Sequence, residues 1–480
     1  MASIIIPVSS NHKSSLLRDL AGQSILSHIR SNFPEDSHFI TISQNEDIKF
    51  QDTTNITIPK NDLGPLESIR SSLDSLDELQ IQDDIFIHYS DLLVLFSYQK
   101  FLKFKNDIID AVLFSSNHHT PFRLDSQDYS FIEETNDQFS VSHKKSFTQV
   151  PHLESVSCGL YYFKSYQIFK ELLLQSIAAR SYHIESIFNS KLLRKMIYTD
   201  LINLELDNKA KVLLFENWFQ YFSSRNKKKE YLSNLEYVVP LAGQGSRFKE
   251  AGYETPKHLL PIENKSLIEF TTSHGPSAKK YHFITLDKDI SHLEMFTPQV
   301  IKRIAIPTQG QACSAFEAIK DIDDKQAILI GVCDNCAEFD AKEFTILQNS
   351  SDVIFFSFTN HPNMEKRPEH YGWLRTDSSN NILGVSVKTP ISDDPLNDQA
   401  IVGLFYFKNA KLYKDAYKEM IEAQELINGE YYIDSMINFL LNKNLIIKSF
   451  PVNHFISLGT PNEYESFFYF KECYQRLTSS

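Results

Sequence analysis

The chain repeats itself at long range, and this repeat limits the fold more than any other feature of the sequence. Four strings recur in the same order, at offsets of 242 to 246 residues. Buried strands resemble one another in composition, so a single match would mean little. Four matches in one order predict two copies of one fold. The paired strings are Gly64-Pro65-Leu66 with Gly310-Gln311-Ala312, Asp84-Ile85-Phe86-Ile87 with Ala327-Ile328-Leu329-Ile330, Asp110-Ala111-Val112 with Asp352-Val353-Ile354, and Gly159-Leu160-Tyr161 with Gly403-Leu404-Phe405.

Each copy alternates short β-branched runs with helical stretches. Ile4-Ile5-Ile6 and Tyr237-Val238-Val239 have strand length, and 66–79 and 312–322 have helical length. This alternation predicts an α/β fold in each copy, with a mostly parallel sheet flanked by helices. Residues 165–222 are expected to form a long helical segment that closes the first copy.

The predicted domains are 1–225 and 236–480, joined by a linker at 226–235. The run Ser223-Ser224-Arg225-Asn226-Lys227-Lys228-Lys229-Glu230 breaks the helical pattern. Such a charge run either binds an anion or is a solvated connection, and the second interpretation is favoured.

Composition excludes several classes of function. The net charge of −13 disfavours general binding to nucleic acid or to anionic membranes. No apolar run approaches the ~18 residues that a membrane span needs, and the N-terminus predicts a first strand rather than a signal peptide. Five cysteines in 480 residues do not form a disulfide framework, which predicts a reduced, cytoplasmic protein.

The two copies differ after their first strand. The second copy carries nine additional residues between its first strand and its first long helix. The insertion falls within 241–262, where the first copy has only the shorter loop 8–17. Because ligands of open α/β sheets bind where strands end, this loop is the main candidate for a site.

The residue types in the inserted loop suit a polyphosphate. Gly243 and Gly245 allow the backbone to turn tightly and to present N–H groups to an anion. Arg247 adds a planar fork of donors, and Lys257, placed after Pro256, adds a compact positive charge. A plain tight turn would explain the glycines alone. A dinucleotide loop is disfavoured, because Phe248 occupies the position of its third glycine.

Asp334 is a second candidate, since it follows the buried run 327–332. A carboxylate at this place can hold Mg²⁺, or it can cap the next helix. Magnesium is favoured because a phosphate-binding loop precedes it. Cys333 and Cys336 flank Asp334, but no further zinc ligands stand nearby in the sequence, so they are interpreted as ordinary thiols.

Residues 236–475 resemble the sugar-phosphate nucleotidyltransferases, a nucleoside-triphosphate transferase family with a GT-A or Rossmann-like fold. The resemblance rests on Leu241-Ala242-Gly243-Gln244-Gly245-Ser246-Arg247-Phe248, Pro256-Lys257, Gln309-Gly310-Gln311-Ala312, Gly331-Val332-Cys333-Asp334, Tyr371-Gly372-Trp373 and Leu458-Gly459-Thr460-Pro461. The first copy resembles the family in strand order, but its loop 8–17 lacks the Gly-x-Gly-x-Arg and Pro-Lys strings. The resemblance therefore implies two tandem domains of this type, the first being a degenerate scaffold or regulatory copy.

The resemblance also implies roles for individual residues. The catalytic residues would be Arg247, Lys257 and Asp334, with Asp334 holding Mg²⁺. The nucleotide would be bound by Leu241, Ala242, Gly243, Gly245, Gln309 and Gly310, and the second substrate by Gly372, Lys388 and Glu430. Two positions depart from the family pattern. Ser457 stands where a second metal carboxylate is usual, for which Glu430 or Asp434 can compensate, and Val387 replaces the glutamate before Lys388.

The implied activity is transfer of a nucleotidyl group from a nucleoside triphosphate to a sugar phosphate or small alcohol phosphate, with release of pyrophosphate. Smaller members of the family serve capsule or surface-glycan synthesis, and some use CTP. A glycosyltransferase that uses a nucleotide sugar and a nucleotide-binding pseudoenzyme are the alternatives. Association into a homo-oligomer is left open.

Overall fold

The computed structural model describes the chain apart from residues 1, 9–15, 46–48, 61–62, 82, 117–128, 136–137, 149–153, 207–208, 225–233, 244, 276–277, 287–290, 297, 362 and 479–480. The chain forms two compact units. Unit 1 comprises Met1–Phe222 and Glu465–Ser480, and unit 2 comprises Ser223–Tyr464. Each unit contains a nine-stranded sheet.

The large sheet of unit 1 follows the order β3-β2-β1-β4-β8-β5-β9, with the hairpin β6-β7 attached to β8 through β6. Strands β1 to β4 are parallel to one another, β8 runs antiparallel to both β4 and β5, and β9 is parallel to β5. The strands are β1 (Ser3–Val8), β2 (His38–Ser43), β3 (Thr54–Thr57), β4 (Asp83–His88), β5 (Ala111–Ser116), β6 (Ser130–Thr135), β7 (Gln138–His143), β8 (Ser155–Ser165) and β9 (Lys195–Tyr198).

The large sheet of unit 2 has the order β12-β11-β10-β13-β17-β14-β18, with the hairpin β15-β16 attached to β17 through β15. Strands β10 to β13 are parallel, β17 is antiparallel to β13 and β14, and β18 is parallel to β14. The strands are β10 (Glu236–Leu241), β11 (Lys280–Thr285), β12 (Gln299–Arg303), β13 (Ile328–Ile330), β14 (Val353–Phe358), β15 (Gly372–Thr376), β16 (Ile382–Val387), β17 (Gln399–Phe407) and β18 (Ile447–Pro451).

The two sheets therefore have the same strand order and the same strand directions. The repeated strings also occupy matching places, since 84–87 lie in β4 and 328–330 in β13. The predicted α/β class, with two sheets flanked by helices, is confirmed. The sequence pattern did not indicate the antiparallel strands β8 and β17, because a buried run carries no mark of its direction.

Helices connect the strands in both units. The α-helices of unit 1 are Ile25–Ser31, Pro65–Arg70, Leu73–Glu78, Tyr98–Phe104, Tyr166–Ala178 and Lys209–Ser224, the last of which ends just beyond the unit. Those that follow are Ser246–Glu250, Leu267–His274, Gln311–Ile319, Ala341–Ser350, Asn363–Lys366, Ala410–Glu422, Ile437–Leu440 and Pro461–Thr478. The helix Pro461–Thr478 starts in unit 2, and its residues from Glu465 onward belong to unit 1.

The expectation of a long helical segment over 165–222 is wrong. Two helices cover its ends, and between them lie β9 and the strand Leu201–Glu205, which pairs antiparallel with Leu92–Phe96. The run Met196-Ile197-Tyr198 pairs with β5 in register, so it completes the sheet. Sheet pairing over a long sequence distance thus overrides the local helical pattern.

In unit 2 the two faces of the large sheet pack against separate apolar clusters. Along β10, Val238 belongs to one cluster, while Tyr237 and Val239 belong to the other. This alternation follows from the pleat, which points successive side chains to opposite faces. Within the part of the chain that the structure describes, no helix has both the length and the apolar character to cross a bilayer.

Candidate functional site

A cavity of 720 Å³ opens in unit 2 where β10 and β13 end. The chain leaves β10 for β11 and β12 on one side and later adds β13 on the other, so the cavity lies where the strand order changes direction. Ligands of open α/β sheets bind at such a point. Eight of the predicted site residues line it: Leu241, Ala242, Gly243, Gly245, Lys257, Gly310, Asp334 and Glu430.

Lys257 and Asp334 meet in this cavity. The Lys257 Nζ atom donates to Asp334 Oδ2 at 2.5 Å and to the Gly459 carbonyl at 3.0 Å. Their side chains are 17% and 26% exposed. Burial by itself lowers the pKa of Lys257, but the Asp334 carboxylate outweighs burial and raises the pKa above its ordinary value. The ammonium therefore stays charged at neutral pH.

The glycine loop supports Lys257 from one side. Gly245 has a left-handed φ of +60°, and a Cβ added there would lie 3.4 Å from the Cβ of Lys257. Gly245 precedes the short helix Ser246–Glu250. Gly243 is exposed, and a Cβ added there would meet nothing within 4 Å. The turn at Gly245 thus needs glycine for its conformation, while Gly243 leaves room for a ligand.

Arg247 lies apart from the Lys257–Asp334 pair. Its side chain is exposed and does not line the cavity, and the guanidinium makes no hydrogen bond or ion pair with the residues that the structure describes. Burial lowers the pKa of Lys388 and of His370, and the positive charge of Arg247 lowers both further. The guanidinium therefore acts electrostatically on Lys388, which the resemblance assigns to the second substrate.

Gln309 and Gly310 form a tight turn against the segment 429–431. Gly310 has a φ of +105°, and a Cβ there would come within 2.6 Å of the Tyr431 carbonyl oxygen. The Tyr431 N–H donates to the Gln309 carbonyl at 3.0 Å, and the Gln309 side chain donates to the Gly429 carbonyl at 3.4 Å. Gly310 lines the cavity, but Gln309 does not.

A second group of predicted residues surrounds Lys388. The Lys388 ammonium donates to the His370 carbonyl at 2.9 Å and lies 5.4 Å from the ring centre of Tyr432. The Tyr432 hydroxyl donates to Glu430 at 2.8 Å. Neither Lys388 nor Gly372 lines the 720 Å³ cavity, whereas Glu430 does. Glu430 therefore belongs to both groups.

Ser457, at the usual position of a second metal carboxylate, and Asp434, which was expected to compensate for it, have different surroundings. The Ser457 hydroxyl donates to Asn335 at 3.3 Å, on a short antiparallel ladder beside Asp334. Asp434 lies at Gly372, where an added Cβ would be 2.2 Å from Asp434 Oδ2. In the described part of the chain, no group of three or more His, Cys, Asp or Glu side chains could hold a metal ion. Asp334 is the carboxylate that accepts a hydrogen bond from Lys257.

Glu463 was not predicted, yet it lies close to Asp334. A Cβ added to Gly459 would be 3.3 Å from Asp334 Oδ2 and 3.5 Å from Glu463 Oε2. Glu463 also exchanges hydrogen bonds with Thr460 at the start of the helix Pro461–Thr478, since its N–H donates to the Thr460 hydroxyl and its side chain accepts from that hydroxyl. The Thr-x-x-Glu spacing could have identified this cap from the sequence.

Cys333 and Cys336 are free thiols, and burial raises the pKa of Cys333 to about 12.

Comparison with known proteins finds solved structures that are similar to this chain. No family model and no curated protein matches the chain. A nucleoside-diphosphate-sugar pyrophosphorylase from Vibrio cholerae RC9 is 24% identical, with a TM-score of 0.40 over 48% of this chain and 98% of its own. The inositol-1-phosphate CTP transferase from T. maritima is 12% identical, with a TM-score of 0.39 over 50% and 97%. HddC from Yersinia pseudotuberculosis is 18% identical, with a TM-score of 0.36 over 50% and 99%.

Proposed function

We propose that unit 2 transfers a nucleotidyl group from a nucleoside triphosphate to the phosphate of a sugar phosphate or small alcohol phosphate, and releases pyrophosphate. The observation that carries the proposal is the Lys257–Asp334 pair, which lies in a 720 Å³ cavity beside a glycine-containing loop. A fixed cation, a carboxylate that can hold a metal ion and a glycine-containing loop form the set of groups that a triphosphate needs.

The chemistry follows from charge. An oxygen of the second substrate's phosphate forms a bond to the α-phosphorus, and the bond from the α-phosphorus to the bridging oxygen breaks as pyrophosphate leaves. Both reactants are anions, so the protein has to neutralise and align them. Lys257 supplies positive charge at the α-phosphate, and no covalent nucleophile is needed.

The nucleotide is proposed to lie along the carboxyl end of β10. Leu241, Ala242, Gly243 and Gly245 line the cavity there and would contact the triphosphate and the nucleoside. The Gln309–Gly310 turn would border the base, since Gly310 lines the same cavity. Hydrogen bonds between this turn and Tyr431 hold it in place.

Asp334 is the residue that would hold Mg²⁺. The donor set fits this ion, because magnesium commonly takes one or two carboxylates from the protein and completes its shell with phosphate oxygens and water. When bound, the ion would add positive charge at the phosphates. Lys257 already contacts Asp334 Oδ2, so the ammonium and the metal would be adjacent.

The second substrate is proposed to bind at Lys388, with Gly372 and Glu430 beside it. The positive charge of Arg247 lowers the pKa of Lys388, which is consistent with a phosphate held between a guanidinium and an ammonium. Arg247 is accordingly expected to act on the attacking phosphate as well as on the triphosphate.

Unit 1 is proposed to be a degenerate copy that arose by tandem duplication. Its sheet has the same order and strand directions as that of unit 2. Its loop at 9–15, which corresponds to the inserted loop, lies outside the described residues. The Pro-Lys and Gly-x-Gly-x-Arg strings of the inserted loop have no counterpart in the loop 8–17 of its sequence. A scaffold or regulatory role follows, with turnover restricted to unit 2.

The test is pyrophosphate release by the full chain with each of the four nucleoside triphosphates and Mg²⁺, against sugar phosphates and small alcohol phosphates, starting with CTP. Pyrophosphate that depends on one triphosphate and one acceptor supports the proposal. Hydrolysis or transfer from a nucleotide sugar without pyrophosphate release would instead identify a glycosyltransferase. Binding of nucleotide without turnover would identify a pseudoenzyme. A positive result would fit a cytoplasmic supplier of capsule or surface-polysaccharide precursors.

A further inference from the structure

The divalent cation of the proposed function needs more negative charge than Asp334 supplies. Lys257 donates to Asp334 Oδ2 at 2.5 Å, so these two side chains together carry no net charge. A neutral pair offers a divalent cation little attraction before the phosphates contribute theirs. Ser457, at the position where the resemblance places a second metal carboxylate, adds no charge. A further acid beside Asp334 is therefore needed.

The chain returns to this aspartate in the same way in both units. In unit 1 the Leu206 N–H donates to the Asp91 carbonyl at 3.0 Å. In unit 2 the Leu458 N–H donates to the Asp334 carbonyl at 2.8 Å. The two leucines therefore occupy equivalent positions, and the residues around them can be compared one by one.

Two charged positions beside these leucines differ between the units. Counted from the leucines, Glu205 corresponds to Ser457, and Lys211 corresponds to Glu463. The short antiparallel ladder agrees, because Glu205 and Ser457 each pair with the residue that follows the aspartate. An acid and a lysine in unit 1 are thus a serine and an acid in unit 2.

In unit 1 the side chains at these two positions meet. The Lys211 ammonium donates to Glu205 Oε2 at 2.6 Å, and the two side chains are 14% and 5% exposed. Lys211 and Glu463 are each the third residue of their helix. A side chain at this helical position therefore reaches the acid on the ladder. By the same geometry, the Glu463 carboxylate can serve the place of an acid at position 457.

Unit 2 shows Glu463 beside Asp334 directly. A Cβ added to Gly459 would be 3.3 Å from Asp334 Oδ2 and 3.5 Å from Glu463 Oε2, so glycine leaves a space that both carboxylates flank. The Thr460 hydroxyl and the Asn363 amide donate to different oxygens of Glu463, at 2.9 and 3.2 Å, and orient it. A carboxylate oxygen has two lone pairs, so both oxygens keep the capacity to bind an ion.

The charge of Glu463 acts on Lys257, whereas the acids at 430 and 434 act on Lys388. Burial lowers the pKa of Lys257, and Glu463 is among the acids that raise it. Burial also lowers the pKa of Lys388, and the charges of Asp434 and Glu430 oppose that effect. With Glu463 included, the two acids and one ammonium at the metal site carry a net negative charge, which attracts a divalent cation.

We propose that Glu463 is the second carboxylate of the metal site and holds Mg²⁺ together with Asp334, in place of an acid at position 457. The donor set fits, because Mg²⁺ commonly takes one or two carboxylates and completes its shell with phosphate oxygens and water. Glu430 and Asp434 are then not metal ligands. This inference rests on the proposed function, because it names a further ligand for the same ion.

The experiment titrates the full chain with Mn²⁺, which stands in for Mg²⁺, and measures the unbound ion by electron paramagnetic resonance. The variants are Glu463→Gln, the double variant Glu463→Gln with Ser457→Asp, and the control Glu343→Gln, which removes an exposed carboxylate from the helix Ala341–Ser350. Loss of an outer partner of a metal site costs about 10- to 100-fold in affinity. Glu463→Gln should therefore weaken Mn²⁺ binding at least about 10-fold. The double variant should recover most of that loss, and the control should bind as wild type does.

The rescue separates a metal ligand from a helix cap. If Glu463 only caps its helix, Glu463→Gln lowers the unfolding temperature and Ser457→Asp does not restore Mn²⁺ binding, which would overturn the inference. Gly459→Ala should also weaken Mn²⁺ binding, because its Cβ fills the space between the carboxylates, and it serves as the test if Glu463→Gln does not fold. Equal Mn²⁺ affinity of wild type and Glu463→Gln would contradict the inference. So would a wild type that binds no Mn²⁺ at millimolar concentration.

Pyrophosphate release, measured separately as a function of Mg²⁺ concentration, distinguishes this inference from the proposed function. In Glu463→Gln the Mg²⁺ concentration for half-maximal rate should rise at least about 10-fold, and Ser457→Asp should lower it again. If Mn²⁺ binding follows the expected pattern but wild type releases no pyrophosphate with any substrate pair, the proposed function is refuted and the metal ligand stands.

Discussion

Replacement of Lys257 by methionine removes the cation that the proposed chemistry needs and keeps most of the side chain's shape. In the structure the ammonium lies 2.5 Å from Asp334 and is 17% exposed. At about 4 Å from a phosphate oxygen, and at the effective dielectric constant of about 20 typical of such sites, one unit charge contributes about 4 kcal/mol. Solvent screening reduces this value, so Lys257→Met should lower kcat by about 10²- to 10³-fold.

The assay is steady-state pyrophosphate release with the accepted triphosphate and acceptor, accompanied by thermal unfolding to confirm the fold. The matched control is Lys279→Met, which removes an exposed ammonium just before β11, at the opposite end of the strands. The control should keep wild-type kcat. Wild-type turnover by Lys257→Met would refute the reasoning, and so would equal losses in both variants.

Three further predictions concern strain, pH and unit 1. Gly245→Ala should lower both stability and kcat, because its φ of +60° disfavours a side chain and its Cβ would lie 3.4 Å from the Cβ of Lys257. The control is Gly252→Ala, where φ is +86° and an added Cβ would meet nothing within 4 Å. This control should lower the unfolding temperature without changing kcat. Burial raises the pKa of Asp434 to about 6 against the opposing effect of Lys388. The same raised pKa means that the charged form destabilises the fold, so Asp434→Asn should raise the unfolding temperature at pH 7 and by less near pH 4. Asp91 follows β4 in unit 1 as Asp334 follows β13 in unit 2. Asp91→Ala should keep wild-type pyrophosphate release, since unit 1 lacks the cationic loop, and loss of turnover in a folded Asp91→Ala would contradict the scaffold role.

The sequence was sufficient to predict most of the fold because the repeat samples the same strands twice. Residues 84–87 and 328–330 could be matched by offset alone, and they occupy equivalent positions in the two sheets. The strands β9 and Leu201–Glu205 were missed, because their pairing with β5 and with Leu92–Phe96 is a long-range property. The local sequence pattern shows that a run is apolar, but it does not show which strand the run will pair with.

The candidate site was predictable where short strings carry the chemistry. The Pro-Lys string identified Lys257 as a candidate, and the position after a buried run identified Asp334. The structure brings the two side chains into hydrogen-bonding contact. The direction of Arg247 could not be foreseen, since it depends on how the short helix Ser246–Glu250 is oriented. The contact of Asp434 with Gly372 was likewise hidden, because it joins two segments that are separated by 62 residues and share no motif.

The most direct measurement of the central claim is the release of pyrophosphate by the intact chain, with Mg²⁺, one nucleoside triphosphate and one phosphorylated sugar or alcohol, in wild type and in Asp334→Asn. We expect pyrophosphate and the nucleotide-linked product to form in equal amounts in wild type, and the rate to fall at least about 10²-fold in Asp334→Asn. Absence of pyrophosphate from wild type with all four triphosphates and a broad set of acceptors would contradict the claim, as would full activity in Asp334→Asn.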